Sequence, residues 1–462
     1  MQIDQTIFRR YDVRGKYPAE LSDDAAYNIA LAFANLYPEI KTVAVGGDMR
    51  KSTPALKEAV KKGLIDGGKE VIDFGIVITP IIYFGVCHYS YDAGIVITGS
   101  HLEGIYNGIK IVLKNSTPTG PSDYENILKH ILEDKLKKAE IAGSEKNLEI
   151  VDDYCNYIKE KINIKKPLKV IIDTGNGITG LLPEKLFKTF GCEVETIYAE
   201  PDDTFPNHFP DPYKTENMMD LKKRVIETGA DLGIAFDGDG DRASFIDKSG
   251  YVLNGDDLLM IFSRDALSKK KGPIAVDSRA SMALIEEVKK QEQKIFLTVG
   301  YHAAVLAKVI EMGAVFGGET TCHFYFPLEI YLTDDAIFAA LKIAMIASEQ
   351  KDFVEFVKKL PRYFASQEIF IEFPDETKYQ TVDRLVRIAK QRKLSVNDVD
   401  GARINYDNGW GIVRAANTSP YVKVRFEGKT EKDMHEIAQK IMALMEEVSI
   451  IMPEKDKESL GL

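Results

Sequence analysis

The sequence is poor in cysteine, and its four cysteines stand far apart at Cys87, Cys155, Cys192 and Cys322. This scatter offers no short metal-ligand spacing and favours buried, reduced thiols. Long apolar runs are also missing, since none approaches the ~20 residues that a membrane-spanning helix needs. The N-terminus is polar and lacks the apolar core of a signal peptide. We therefore expect a cytoplasmic protein that has no membrane partner.

Positive charge is in deficit as well. The chain has 60 Lys and Arg residues against 71 Asp and Glu residues, which gives a formal net charge of −11. This balance argues against a nucleic-acid partner, because duplex binders present a dominant basic face. Phosphate groups can still be bound where a few Arg, Lys and backbone N–H groups lie together. Function is therefore expected in local clusters of side chains.

Short apolar segments alternate with helix-length amphipathic segments from about residue 40 to residue 350. The alternation predicts α/β units with mixed, largely parallel sheets. A chain of 462 residues is too long for one core, so several domains are expected. The predicted strands include Thr42–Val45, Gly94–Thr98, Lys169–Asp173, Leu232–Phe236 and Ile274–Asp277.

Two stretches have the composition of domain boundaries, Glu140–Lys146 and Lys351–Arg362. Beyond the second stretch the pattern changes to that of a small α+β domain, with one helix between two strands and a second helix after a third strand. The last helix begins with a capping-box pattern, Thr430 and Asp433. The elements predicted there are strands at Glu368–Glu372, Gly411–Arg414 and Val422–Phe426, and helices at Thr377–Arg392 and from about Glu431.

A faint internal repeat links three parts of the chain. Val225–Ala230 leads into an apolar strand and then Asp237, and Val309–Ala314 leads into a strand and then Gly317. A similar strand precedes Thr98. Related α/β units would each place one loop at the carboxyl end of a strand, where open α/β sheets bind ligands. Chance similarity of buried strands is the alternative.

The acidic loop that follows the strand Leu232–Phe236 is the strongest local signal. Asp237, Asp239 and Asp241 alternate with glycines, which permit a tight loop that brings three carboxylates to one ion. Hard oxygen donors of this kind suit Mg²⁺, and Arg242 fits a group that holds a phosphate beside the metal. A calcium loop of EF-hand type lacks its glycine and glutamate here, and a solvated acidic turn is the other alternative.

Ser100 and His101 follow the strand Gly94–Thr98. A serine at a strand end can be a nucleophile, but it can equally be a helix cap, and the residue alone favours the cap. Lys110 in the following segment is either a surface lysine or a proton-transfer partner for a sugar hydroxyl. Neither residue is decisive without other features.

Two further loops carry polar side chains. Gly317–His323 holds a carboxylate, hydroxyls and an imidazole, a set that suits paired hydroxyls of a sugar ring. Arg414–Pro420, with Arg425 on the next strand, has the arginines and hydroxyls of a phosphate site. A polar hairpin would also explain the second loop.

Two motifs favour other functions. Gly175–Gly180 follows a strand, with Glu200 twenty residues on, and fits a dinucleotide-binding fingerprint of an oxidoreductase. Against it, Asp173 and Thr174 separate the apolar run from the first glycine, and Pro183 comes early in the helix. A P-loop pattern at Gly63–Lys69 lacks the following Ser or Thr and lies at the end of a predicted helix, so we reject it.

Together these loops resemble one family, the α-D-phosphohexomutases, over nearly the whole chain. The similarity runs from Phe8–Gly15 through Phe205–Pro212 to the loop between Arg414 and Arg425. The first of these segments resembles the phosphomannomutase/phosphoglucomutase branch more than the phosphoglucosamine branch. The family also has a Gly-Asn-Gly turn, which accounts for the dinucleotide pattern.

The resemblance implies four domains around a central cleft, the first three α/β and the last a smaller α+β domain. The domain limits expected are 1–145 with the phosphoserine loop, 146–244 with the metal loop, 245–360 with the sugar loop and 361–462 with the phosphate loop. A hinge is expected near residues 355–368, because the last domain must open and close. The chain is expected to be a monomer or a weak homodimer whose partners are small-molecule sugar phosphates.

The resemblance also implies the site and its cofactors, Mg²⁺ and a hexose 1,6-bisphosphate that is both primer and intermediate. Ser100 would carry the phosphate and, with Asp237, Asp239 and Asp241, would bind the metal. Around it the catalytic residues would be His101, Lys110, Arg14 and His302, and the substrate-binding residues Tyr11, Arg242, Glu319, Thr321, His323, Arg414, Asn417, Thr418, Ser419 and Arg425.

The chain departs from the family at three places. Leu102-Glu103 stands where Asn-Pro is usual, Thr321-Cys322 where Ser-Gly is usual, and Ala416 where Ser is usual. The departures leave the preferred sugar open between mannose, glucose and glucosamine. A phosphoglucosamine mutase and a non-catalytic sugar-phosphate binding protein are the alternatives to a mannose or glucose mutase, and a metal-dependent phosphatase would share the aspartate cluster.

Overall fold

The computed structural model describes residues 3–180, 182–416 and 420–461. The chain forms two compact units. The first unit comprises Met1–Leu258 and Thr321–Lys359, and the second comprises Leu259–Thr320 and Leu360–Leu462. The predicted hinge, residues 355–368, includes the last of these boundaries, although its motion stays a prediction.

The first unit begins with a mixed seven-stranded sheet. Its strands are β1 (Val13–Lys16), β2 (Thr42–Gly47), β3 (Glu70–Ile76), β4 (Ala93–Ile97), β5 (Tyr106–Leu113), β6 (Thr117–Pro118) and β7 (Ser144–Asn147), and its helices are α1 (Asp23–Leu36), α2 (Thr53–Asp66), α3 (Thr79–His88), α4 (Pro121–Leu132) and α5 (Val151–Lys159). The strand order is β1-β5-β4-β2-β3-β7, with β6 beside β5. The strands β4, β2, β3 and β7 are parallel and the others antiparallel. A buried apolar core that includes Val43, Val45 and Ile95 lies on this sheet.

The segment Glu140–Lys146, predicted as a boundary by its polarity, carries part of strand β7. Residues Ser144–Asn147 are all exposed, yet they pair in parallel with β3 at the edge of the sheet. Backbone hydrogen bonds hold such an edge strand without any apolar side chain, so composition could not reveal it.

The second sheet of the first unit has the order β12-β11-β10-β8-β9. Strands β8 to β10 are parallel, whereas β10, β11 and β12 form antiparallel pairs. Continuous apolar runs form β8 and β10, as expected for strands that are buried on both faces. The elements are β8 (Lys169–Asp173), α6 (Leu182–Thr189), β9 (Glu193–Ile197), α7 (Met219–Thr228), β10 (Leu232–Phe236), β11 (Ala243–Asp247) and β12 (Val252–Leu253).

The second unit contains three parallel strands in the order β14-β13-β15. Its elements are β13 (Ile274–Asp277), α9 (Met282–Lys290), β14 (Ile295–Thr298), α10 (His302–Met312) and β15 (Phe316–Gly318). Helix α8 (Gly255–Lys269) contains the boundary between the two units. The chain then returns to the first unit with β16 (Phe324–Tyr325), α11 (Ala336–Glu349) and α12 (Phe353–Lys358).

The C-terminal part of the second unit is an antiparallel sheet covered by helices. The strands are β17 (Phe364–Ala365), β18 (Ile369–Glu372), β19 (Ser395–Asn397), β20 (Ala402–Tyr406), β21 (Gly409–Ala415) and β22 (Tyr421–Gly428), with helices α13 (Lys378–Gln391), α14 (Glu431–Glu446) and α15 (Glu454–Ser459). The order is β17-β22-β21-β20-β19, with β18 also beside β22. Three α/β sheets and a smaller α+β domain confirm the predicted fold class.

The internal repeat corresponds to a shared local structure. Helix α7 ends at Gly229 and helix α10 at Gly313, and both glycines have left-handed backbone with φ of 64° and 58°. Glycine adopts this conformation without strain, which is why it ends helices so often. Strands β10 and β15 follow the two glycines.

Among the described residues no helix has the length and apolar character needed to cross a membrane.

Candidate active site

The candidate nucleophile lies in the loop between β4 and β5. Ser100 is buried and has left-handed backbone, φ 50°. Its Oγ lies 3.2 Å from Nδ1 of His101 and donates to Oδ2 of Asp237 at 3.3 Å. The structure thus joins the serine of one predicted loop to the first aspartate of another, and these contacts do not match a helix cap.

The three aspartates of the acidic loop converge as predicted. One carboxylate oxygen from each of Asp237, Asp239 and Asp241 lies within 4.8 Å of the others. Oδ1 of Asp237 accepts the backbone N–H groups of Gly240, Asp241 and Arg242 at 3.0 to 3.1 Å. This turn aims the carboxylates inward and gives the loop the shape of a cation site.

Two partners hold Asp239, one at the start of helix α3 and one on strand β5. Thr79 donates to Oδ2 of Asp239 at 2.7 Å, and Lys110 donates to the same oxygen at 3.0 Å. Lys110 also donates to Asp241 at 2.8 Å. Burial alone would lower the pKa of Lys110, but the Asp239 and Asp241 carboxylates outweigh it and hold that pKa well above its ordinary value. Lys110 is therefore a buried ammonium, not the surface lysine of the alternative interpretation.

The donor set fits a divalent cation. Burial, and after it the charges of Asp241 and Asp239, raise the pKa of Asp237 well above its ordinary value. Oδ1 of Asp239 and Oδ1 of Asp241 are buried and accept no hydrogen bond from the described residues. Unpaired buried carboxylate oxygens are costly without a cation. These residues therefore match a magnesium site in donor type, spacing and burial.

Arg242 lies beside the same carboxylates. Its Nε donates to Asp237 at 3.1 Å and its Nη1 donates to Asp211 at 3.2 Å. Its Nη2 is buried and has no hydrogen-bond partner in the described chain. A buried guanidinium with a donor to spare suits a phosphate oxygen.

His101 and Arg14 complete this side of the first unit. Burial, then the cations Arg242 and Arg14, lower the pKa of His101 well below its ordinary value. Arg14, on β1, donates to Asp12 at 2.6 Å. Tyr11, also predicted as a substrate residue, is half-buried with the Arg10 guanidinium 5.7 Å from its ring centre.

The predicted sugar loop divides between the units, because the boundary falls between Thr320 and Thr321. In the first unit, Nδ1 of His323 lies 2.9 Å from Asp334 and 3.8 Å from Asp241. Cys322 is buried with left-handed backbone, φ 72°, which explains why glycine is usual at this position. Thr321 is half-buried.

The Gly175–Gly180 loop supports the aspartate loop. A Cβ atom on Gly177 would lie 3.0 Å from the backbone of Gly238, and Ile178 N–H donates to the carbonyl of Gly238 at 3.0 Å. Beside Gly175, Nε2 of His208 lies 3.0 Å from Oδ2 of Asp173. The loop that resembled a dinucleotide site is thus packed against the acidic loop.

A second cluster of charges lies in the second unit, around the buried carboxylate of Glu368. Arg414 donates to Glu368 at 2.9 Å and Lys423 at 3.4 Å, and Arg279 lies 3.8 Å away. The strand register explains the first two contacts, because Arg414 and Lys423 are directly paired between β21 and β22. Burial would raise the pKa of Glu368, but Arg414, Arg279 and Lys423 hold it well below its ordinary value.

Other predicted residues of the second unit extend this cluster. Glu319 accepts from Arg279 at 3.5 Å, and Arg425 donates to the carbonyl of Arg279 at 3.0 Å. His302 is half-buried in the first turn of α10. Asn417, Thr418 and Ser419 lie outside the described residues.

The sequence interpretation did not include several site residues. Arg50, Thr79 and Asp334 in the first unit, and Arg279, Glu368 and Lys423 in the second, belong to no short motif. Each is a buried or half-buried polar residue whose partner lies far away in the chain or on another strand. The sequence does carry a signal for Lys423. On β22, Lys423 and Arg425 alternate with apolar residues, so the two side chains lie on the same face of the strand.

Comparison with known proteins is consistent with these clusters. Four family models match successive parts of the chain: phosphoglucomutase/phosphomannomutase alpha/beta/alpha domain I at residues 5–138, domain II at 152–250, domain III at 254–364 and the C-terminal domain at 368–444. The acidic loop, the nucleophile loop and Arg414 all lie within the matched ranges. The boundaries predicted at residues 145, 244 and 360 stay predictions.

Individual relatives cover nearly the whole chain. A phosphomannomutase/phosphoglucomutase from Pseudomonas putida is 35% identical over 94% of both chains. A phosphoglucomutase from Neisseria meningitidis is 32% identical over 96% of this chain and 97% of its own. The crystal structure of a phosphoglucomutase/phosphomannomutase family protein from Burkholderia thailandensis superposes with a TM-score of 0.90 at 31% identity, over 97% of this chain and 98% of its own.

Proposed function

Because this chain belongs to the phosphoglucomutase/phosphomannomutase family of hexose-phosphate mutases, we propose that it interconverts hexose 1-phosphates and 6-phosphates through a phosphate carried on Ser100. The observation that carries the proposal is the 3.3 Å contact between Ser100 Oγ and Asp237, within a buried trio of aspartates. A serine hydroxyl at a cation site can accept a phosphoryl group and later donate it to another acceptor.

The residues that would hold Mg²⁺ are Asp237, Asp239 and Asp241, together with a phosphate oxygen on Ser100. When bound, the cation neutralises charge on the phosphoryl group that moves. Arg242 offers its spare Nη2 donor to the same group, and Lys110 keeps two of the carboxylates in place. Water exclusion follows from burial, since Ser100 is only 4% exposed.

The transfer itself balances in two steps. A hydroxyl oxygen of the hexose phosphate attacks the phosphorus on Ser100, the bond to Oγ breaks, and a hexose 1,6-bisphosphate forms. His101, 3.2 Å from Oγ, is placed to accept the proton that the sugar hydroxyl loses and to deliver it to the serine oxygen, and the reverse proton transfer serves the second step. In the second step Ser100 attacks the other phosphate of the bisphosphate and releases the isomeric monophosphate. A bisphosphate primer loads the serine at the start.

The phosphate that is not transferred needs its own site, and the cluster around Glu368 supports this role. Arg279, Arg414, Lys423 and Arg425 supply four cations there. Arg414 lies on β21, and Asn417, Thr418 and Ser419 follow it closely in the sequence. Guanidinium groups bind phosphate oxygens in pairs. We assign these residues to the non-transferred phosphate.

The sugar hydroxyls are assigned to Glu319, Thr321 and His323, which combine acceptors and donors as a hexose requires. Asp334 fixes the orientation of the His323 ring through the 2.9 Å contact at Nδ1. His302 and Tyr11 complete the proposed substrate set. The departures at Cys322 and Ala416 bear on which hexose is preferred, so mannose, glucose and glucosamine 1-phosphates all belong in the test panel.

The proposed function predicts the outcome of ³¹P NMR with each 1-phosphate, Mg²⁺ and a bisphosphate primer. The wild-type enzyme should form the 6-phosphate without releasing inorganic phosphate, and Ser100→Ala should form none while still folding. Ser122→Ala, the same change at an exposed serine, should behave as wild type. Release of inorganic phosphate in step with substrate loss would indicate a phosphatase instead, and full activity of Ser100→Ala would refute the nucleophile assignment. The cytoplasmic location and the monomeric or weakly dimeric state stay predictions.

A further inference from the structure

A buried arginine outside every motif lies directly beneath the nucleophile loop. The side chain of Arg50 is fully buried. Its two terminal nitrogens donate to three backbone carbonyls of the loop between β4 and β5 and to the carbonyl of the first residue of β5. Nη2 donates to the carbonyls of Ser100 at 2.8 Å and Leu102 at 2.6 Å. Nη1 donates to those of Glu103 at 2.6 Å and Tyr106 at 2.9 Å. One guanidinium group therefore binds the backbone at four points between Ser100 and the start of β5.

Arg50 is itself fixed by a second buried residue. Its Nε donates to Oδ2 of Asp48 at 3.0 Å. The same Asp48 oxygen accepts the hydroxyl of Thr98 at 2.9 Å and the backbone N–H of Gly99 at 3.0 Å, the two residues just before the nucleophile. The ring centre of Phe205 lies 5.4 Å from the guanidinium carbon. The Asp48–Arg50 pair thus contacts the loop on both sides of Ser100.

The loop requires such a support because its conformation is unfavourable by itself. Left-handed backbone at a non-glycine residue such as Ser100, with φ 50°, is strained, and the surroundings must compensate for the strain. Leu102 and Glu103 provide no proline to restrict the backbone here. Arg50 binds carbonyl oxygens alone, so its contacts do not depend on which side chains the loop carries.

The room for the guanidinium is provided by Gly99. A Cβ atom at this position would lie 2.3 Å from the guanidinium carbon of Arg50. Gly99 and Arg50 are therefore one structural feature, and the Thr98-Gly-Ser100 sequence is explained by the arginine beneath it as well as by the serine it presents.

We propose that Arg50 is a positioning residue for phosphoryl transfer, which holds Ser100 Oγ against the aspartate loop by clamping the backbone of residues 100–106. The inference rests on the proposed role of Ser100 as the phosphate carrier. Arg50 touches neither substrate nor metal in this account. Its effect is exerted through the position of Oγ, and a shift of about 1 Å at a reacting atom can cost about 100-fold in rate.

The test compares Arg50→Lys and Arg50→Gly with wild type in steady-state turnover of glucose 1-phosphate. A lysine reaches fewer carbonyls and lacks the planar fork, so we expect kcat to fall by about 100-fold while KM changes by less than about threefold. Added guanidinium chloride at millimolar concentration should restore part of the kcat of Arg50→Gly. Arg392→Gly, the same change at an exposed arginine, should show full activity and no response to guanidinium. If Arg50→Gly does not fold, Arg50→Lys decides the matter.

The result also separates the inference from the proposed function. Phosphate on Ser100 is measured in parallel by intact mass after incubation with hexose 1,6-bisphosphate. If the wild-type chain acquires phosphate but Arg50→Lys turns over at the wild-type rate, or loses activity through KM alone, the positioning role is overturned and the proposed function stands. If the wild-type chain acquires none and shows no mutase activity, both fall together.

Discussion

At the residue scale, Gly238 of the acidic loop packs closely against the nucleophile loop. A Cβ atom on Gly238 would lie 2.3 Å from the carbonyl oxygen of Ser100. The change Gly238→Ala must push the two loops apart, so we expect weaker Mg²⁺ binding and a kcat lowered by about 100-fold. Isothermal titration with Mg²⁺ and a turnover assay measure both.

The control for this change is Gly120→Ala, where a Cβ atom meets nothing closer than Asp123 at 3.8 Å. That variant should keep the wild-type metal affinity and kcat. A Gly238→Ala enzyme with wild-type values of both would show that the loops need not be in contact, and the assignment of one joint site would be wrong.

The candidate residues that the sequence predicts are those that chemistry concentrates in short motifs, such as Asp237, Asp239 and Asp241. The residues that it does not predict act through partners distant in the chain. Arg50 donates hydrogen bonds to carbonyls about fifty residues away in the chain. Glu368 accepts hydrogen bonds from Arg414 on β21 and Lys423 on β22. A buried polar residue becomes recognisable only when its partners are known, because exposed arginines and glutamates are far more common.

At the element scale, strand β22 places Lys423 beside the predicted phosphate residues. Burial lowers the pKa of Lys423 to about 8. The cations Arg414 and Arg279 also lower this pKa, whereas the Glu368 carboxylate raises it. Lys423 therefore loses its charge as the pH rises through about 8. We expect KM for a hexose phosphate to increase from pH 7 to pH 9 in the wild type, because a neutral amine binds the phosphate less well.

The matched variant is Lys423→Arg, whose guanidinium keeps its charge throughout this range. Its KM should vary less between pH 7 and pH 9 than that of the wild type. Equal pH profiles for KM in the two proteins would contradict a role of Lys423 in phosphate binding.

Helix α14 begins with the capping box that the sequence predicts. Thr430 accepts the backbone N–H of Asp433 and the Asp433 side chain accepts that of Thr430. Thr430→Ala should lower the free energy of unfolding by about 1 kcal/mol, as for other N-cap residues, measured by urea denaturation. Thr377→Ala is the control, since Thr377 precedes α13 without a side-chain cap. An equal loss in the two variants would show that the cap contributes nothing specific.

The elements that the sequence predicts well are the buried apolar strands. Lys169–Asp173, Leu232–Phe236 and Ile274–Asp277 are observed with the predicted limits, because continuous apolar runs of this length are typical of strands covered on both faces. Strand β20 was not predicted. It contains Arg403, a buried arginine whose guanidinium carbon lies 3.9 Å from the ring centre of Trp410. Because a charged residue interrupts the apolar pattern, hydrophobicity alone does not predict this strand.

At the scale of the whole molecule, the candidate residues divide between two compact units. The proposed metal ligands and Ser100 lie in the first, whereas Glu319, Arg414 and Arg425 lie in the second. We therefore expect two separate footprints in hydrogen exchange. Mg²⁺ should slow exchange at residues 237–242, where the amides of Gly240, Asp241 and Arg242 donate to Asp237. A hexose 6-phosphate should slow exchange in β21 and β22.

The variant Asp239→Asn separates the two effects. It should lose the protection caused by Mg²⁺ and keep the protection of β21 and β22 by sugar phosphate, because its change is confined to the first unit. Protection by Mg²⁺ in the second unit, with none at residues 237–242, would contradict the location of the metal site.

The central claim is that Ser100 carries the phosphate, and the mass of the intact protein tests it most directly. After incubation with Mg²⁺ and a hexose 1,6-bisphosphate, the wild-type chain should gain one phosphoryl group of about 80 Da, which peptide mapping should locate at Ser100. Addition of a hexose monophosphate should remove it, and Ser100→Ala should never acquire it. An unmodified wild-type chain that nevertheless converts 1-phosphate to 6-phosphate, or phosphate found on another residue, would contradict the account.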